Sequence, residues 1–168
     1  AIEQSIFSEF FNNTIKMLAK SEEYPNYDAR NKLLSFYFTF FEMLTANRSY
    51  VVYALKGNEN VIKLKSLKLL KDLKQDFKTF ANNIGIEKID LQQEKLGEIQ
   101  DKATQESSWI QLILTMKFWL DDTSASFEKT DIFIEKSVNA RFDLLDIKPL
   151  KSILDFGKFI LKEKVNFN

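Results

Sequence analysis

Ser35, Thr39 and Glu42 follow one another at helical spacing through Leu33-Leu34-Ser35-Phe36-Tyr37-Phe38-Thr39-Phe40-Phe41-Glu42-Met43-Leu44, so three hydrogen-bonding side chains fall on one line of an otherwise greasy segment. Such a line supplies the polar end of a pocket for a small hydrophobic ligand, with Phe36, Tyr37, Phe40 and Met43 beside it and Tyr53, Trp109 and Met116 as further walls. A solvated stripe is the plainer account of the three polar residues, and core packing is the plainer account of any single ring. The number of rings favours a pocket, because 16 phenylalanines are hard to pack to crystal-like density without leaving a void. Glu42 is the informative member: buried, it needs a partner or stays protonated.

Acid-base and metal chemistry are poorly provided for. The chain has no histidine and no cysteine, the groups most often recruited for proton transfer near neutral pH, soft-metal ligation and nucleophilic attack. Asp121-Asp122 and the pair Glu94 and Glu98 lack the histidine partners of di-iron bundles, and helix capping or a solvated face accounts for them. The expectation is a non-enzyme with no catalytic residue, no metal and no cofactor.

At 168 residues the chain is read as a single domain, residues 1–168, large enough to bury a core without staples. Lys plus Arg and Asp plus Glu stand at 24 each, so no global field draws in a polyanion. The lysines between residues 60 and 78 lie opposite an apolar stripe, as in an ordinary solvated helix face, with Asp72 and Asp76 diluting them. Four glycines and two prolines among abundant Leu, Lys, Glu, Phe and Ile predict an all-α fold. The N-terminus lacks the order of a signal peptide, and Trp109 to Leu120 is well short of the ~20 residues of a membrane span. A soluble, cytoplasmic protein without stable membrane insertion is expected.

Periodicity places the elements. Ile6, Phe7, Phe10, Phe11, Thr14, Met17 and Leu18 form the stripe of a helix over 2–20, ended by Tyr24-Pro25-Asn26. A nearly all-apolar helix starts near Asp28 and belongs in the middle of the fold, and a short segment runs from Ser49 to Lys56. A surface helix is predicted over 60–83, stopped by Asn82-Asn83-Ile84-Gly85. Residues 86–104 carry no clear period, and Gly97 weakens any single helix there. Ser107 or Ser108 is expected to cap a helix to about Asp122 with two apolar faces, Trp109, Leu112, Ile113, Met116 and Trp119 on one and Ile110, Leu114 and Phe118 on the other. After Thr123-Ser124-Ala125-Ser126, helices are predicted near 129–145 and 150–163.

Phe10-Phe11-Asn12-Asn13-Thr14-Ile15, Tyr27-Asp28-Ala29-Arg30 with Asn47-Arg48 beyond, and Phe118-Trp119-Leu120-Asp121-Asp122 together resemble the C-terminal domain of TetR-family transcription regulators. The resemblance runs through nearly the whole chain and rests on pattern rather than on a short motif. It implies a helical bundle of roughly six to eight helices that binds a small hydrophobic effector and forms a homodimer. The helices near 108–122 and 129–145 are the dimer candidates, through Trp109, Ile113, Phe118, Ile134, Val138 and Phe142, although burial within one subunit would claim about half of these. The family's N-terminal helix-turn-helix has no counterpart in this sequence, and Ala1 stands where a start Met would, so DNA is expected as a partner only through an absent head. Lipid-binding proteins of ubiquinone biosynthesis use a similar scaffold, with Ile153, Phe156, Phe159 and Ile160 then touching a membrane. A ligand-free helical scaffold is the third reading.

Overall fold

The computed structural model describes residues 2–56, 68–85 and 94–146. Among them are six α-helices and no strand: α1 (Ile2–Leu18), α2 (Ala29–Ala46), α3 (Arg48–Lys56), α4 (Lys71–Asn83), α5 (Glu94–Asp121) and α6 (Glu128–Asp146). The expected all-α bundle is what the chain forms. Contacts run α1 to α2, α2 to α6, α6 to α5, α5 to α4 and α4 back to α1, a closed ring of helices around one core.

Local chemistry explains two of the helix ends. Asp28, in extended backbone, caps α2 by accepting the Asn31 amide at 2.7 Å. The α4 helix closes at Ile84, and Gly85 follows at φ +73°, a conformation that costs glycine nothing. α2 buries Leu33, Phe36, Tyr37, Phe40, Phe41 and Leu44, the face its sequence pattern singles out. The α1 stripe is buried or half-buried except for Met17, which is exposed.

Three expectations need correction. The α5 helix does not begin at Ser107 or Ser108 but runs unbroken from Glu94, through Gly97. One interior glycine costs only about 1 kcal/mol against alanine, and the Glu, Lys, Gln and Ala around it favour helix. Ser108 is thereby a buried mid-helix residue rather than a cap. The surface helix is not continuous over 68–83, because 68–70 form a turn and α4 starts at Lys71. Leu70 and Leu73 are nonetheless both fully buried, so the apolar period carries across the turn without showing it. The predicted helix over 150–163, the start of the lysine-rich segment at 60–67, and residues 86–93 lie outside the described residues.

Candidate functional site

The ring cluster at the centre of the bundle is tightly interlocked. Phe36 stacks on Phe40 at 5.3 Å and meets Phe77, Phe80 and Phe11 at 5.2, 4.8 and 5.5 Å. α1 therefore enters this cluster directly through Phe11, with Phe7, Thr14 and Leu18 buried beside it. Of the residues expected to wall a pocket, Phe36, Tyr37, Phe40, Trp109 and Met116 are buried, and Thr39 and Met43 are half-buried. Glu42 and Tyr53 face outward, Tyr53 at 72% exposure, so the line of Ser35, Thr39 and Glu42 does not lead into the core as a whole.

A polar seam lies where α2, α5 and α6 meet. Tyr37 is fully buried, and its hydroxyl faces Thr115 and the Arg141 guanidinium. Burial pushes its phenol well above the ordinary range, against a smaller opposing influence from Arg141, so the O–H keeps its proton. Thr115 Oγ1 donates to the Gln111 carbonyl at 2.8 Å. Arg141 donates to Gln111 Oε1 and to Ser107 Oγ, each at 3.2 Å, and Gln111 Nε2 donates to Ser137 Oγ at 3.4 Å. Burial lowers the guanidinium pKa, but arginine has so high a starting value that it stays charged.

The corner between α5 and α6 is clamped. The Arg48 guanidinium lies between two rings, 4.5 Å from the centre of Trp119 and 4.4 Å from that of Phe127, and donates to the carbonyls of Trp119 and Leu120 at 3.1 and 3.3 Å. A cation is thus placed on the exposed carbonyls at the end of α5, where the helix dipole favours it. Buried Asp122 accepts from the Ser124 amide and hydroxyl and from the Thr130 amide and hydroxyl at 2.7–2.9 Å, tying the corner to the start of α6. Burial opposes its charge, but these bonds outweigh that and hold its pKa down to about 2. Ser126 and Phe127 sit in left-handed backbone at φ 50° and 58°, which the Asp122 bonds and the Arg48 stack hold in place.

Outside this corner α5 and α6 present an apolar face. Ile110, Leu114, Phe118 and Ile132 are 55%, 52%, 37% and 50% exposed, and Phe118 stacks on Phe133 at 4.6 Å. An open groove of about 470 Å³ runs along it, lined by Phe118, Ile132, Phe133, Ser137, Lys129 and Lys136. Among the dimer candidates, Phe118 lies on this face, Ile113 and Phe142 are half-buried, and Trp109, Ile134 and Val138 belong to the subunit's own core.

A ring of helices with an interlocked aromatic centre, an entering helix packed on it and an apolar outer face on its last described pair gives a frame for comparison with known proteins. The sequence pattern of the family described as tetracyclin repressor-like, C-terminal domain, matches residues 32–160. The chain belongs to that family. A search of the curated proteins found no match, nor did one of the solved structures. A tetracyclin repressor-like C-terminal domain is the part of a regulator associated with effector binding and dimerisation. Among the described residues, no helix of this one is long and apolar enough to cross a membrane.

Sequence reasoning assigned no structural role to the arginines of this tetracyclin repressor-like domain. Only Arg30, Arg48 and Arg141 occur among the 24 basic residues, and each meets a carbonyl, an amide or a ring rather than open solvent. Their rarity in a lysine-rich chain was the available signal, since a planar, forked cation suits sites that lysine does not. Ile132 and Phe133 were equally legible, as apolar residues off the buried line through Ile134 and Val138.

Proposed function

We propose that the chain is the effector-sensing and dimerisation domain of a cytoplasmic TetR-like regulator and has no catalytic role. The carrying observation is the exposed row Ile110, Leu114, Phe118 and Ile132, four large apolar residues on one pair of helices. A second copy of the chain is the occupant this face suits. Lys117, Lys129 and Lys136 alternate around it with Asp121, Asp131 and Glu135, so the face is electrically balanced and can complement itself across a two-fold axis. Two helices from each subunit then form a four-helix interface. Effector binding repacks the aromatic centre, and α1, which reaches that centre through Phe11, carries the shift toward the DNA-reading head that the family places before it. An effector acts in this way only if it binds the two head spacings with different affinity.

The absence of cysteine makes the test clean, because Asn12→Cys on the exposed side of α1 gives one spin-label site per subunit. Pulsed electron resonance should report a single inter-label distance in the free protein. Across a panel of fatty acids and aromatic compounds, those that raise the melting temperature should change that distance. A panel that raises the melting temperature without moving the label would contradict transmission through α1. Flotation of the protein with liposomes would point instead to a lipid carrier.

A further inference from the structure

We propose that the outer groove between α5 and α6 takes a long-chain carboxylate, one anionic head on an apolar tail, and that this ligand tightens the dimer. The inference deepens the dimer reading of this face and rests on it. The groove of about 470 Å³ has Phe118, Ile132 and Phe133 as its apolar lining, with Lys129 and Lys136 beside them and no acidic side chain. A second hollow of about 440 Å³ shares Phe118, Lys129 and Phe133 with it and continues to Leu114 and Lys117, so the two form one trough. Each hollow alone falls in the ~300–1,000 Å³ range of small-molecule sites.

Charge decides the kind of occupant. The face as a whole is balanced, but its acids are turned away from the trough or already engaged. Asp131 and Glu135 line neither hollow. Asp121 lines the second, where its carboxylate is bridged to Lys56 and to Lys117, and Asp122 is bonded to Ser124 and Thr130. Lys129 and Lys136 are exposed and stand two turns apart on α6, about 10 Å along its axis, on either side of Ile132 and Phe133. Ammonium groups at the rim of an apolar floor are matched by a molecule whose head is negative and whose tail is not. Pairing about a two-fold axis brings two copies of the trough into one interface, where like charges oppose association. A carboxylate on Lys129, which lines both hollows, offsets that repulsion while its chain lies along Ile132 and Phe133.

Sedimentation equilibrium of the full chain with dodecanoate below its micelle concentration, beside dodecanol, tests the idea. Dodecanoate should lower the dimer dissociation constant at least about tenfold, and dodecanol should change it much less. Raising the salt concentration without ligand should also tighten the dimer, because it screens the facing lysines. The double variant Lys129→Gln, Lys136→Gln changes two exposed side chains, and its circular dichroism should match the parent's. It should dimerise more tightly than the parent without ligand and lose the response to dodecanoate. Acid and alcohol acting alike, a double variant that responds as the parent does, or dissociation of the dimer by dodecanoate would overturn the site and leave the dimer reading standing. A monomer under every condition would count against both.

Discussion

Leu114→Ala separates the dimer face from the subunit core. Leu114 is 52% exposed in one subunit and lies in the middle of the outer row of α5. Burying a whole leucine side chain contributes about 2 kcal/mol, so covering its exposed half contributes about 1 kcal/mol per subunit. The two-fold axis counts the site twice, giving about 2 kcal/mol per dimer, and alanine recovers little of it. At 1.4 kcal/mol per tenfold, the dimer dissociation constant should rise about 30-fold, as read by sedimentation equilibrium across a concentration series. Leucine and alanine are both strong helix formers, so helicity should be unchanged. Ile134→Ala is the matched control, because Ile134 is fully buried in its own subunit and its loss should lower fold stability by about 2–5 kcal/mol. A Leu114→Ala protein that dimerises as tightly as the parent would refute the assignment of this face.

Two further outcomes concern the corner between α5 and α6. Arg48→Ala removes two ring contacts and the donors to the last α5 carbonyls, a loss of about 2 kcal/mol that should lower the melting temperature by about 4–8 °C. Asp122 has its folded pKa held down to about 2, below the ordinary carboxylate value near 3.9, so the stability it contributes is complete above about pH 4 and drains away as pH falls toward 2. Asp122→Asn should therefore show a shallower fall in melting temperature over that interval than the parent. Parallel curves would mean that Asp122 is not what links this corner to acid.

The parts that were legible in the sequence are those governed by a single helix. The buried face of α2 repeats its apolar period residue for residue, and the two greasy faces of α5 are a buried one through Leu112, Met116 and Trp119 and an exposed one through Ile110 and Leu114. The start of α5 was hidden because Gly97 looks like a stop, whereas the helix formers around it and packing farther along the helix outweigh one glycine. The turn at 68–70 was hidden because leucines on both sides of it still point inward. The seam and the Arg48 clamp were out of reach for a different reason. They join residues far apart in the chain, Arg48 with Trp119 and Tyr37 with Arg141, and helical periodicity carries no information about which faces meet.

The central claim is a dimer that holds a small hydrophobic molecule, and native mass spectrometry of the freshly purified protein reads both properties in one spectrum. A dimer, with extra mass that disappears on denaturation, is the predicted result. A bare monomer at micromolar concentration would contradict it.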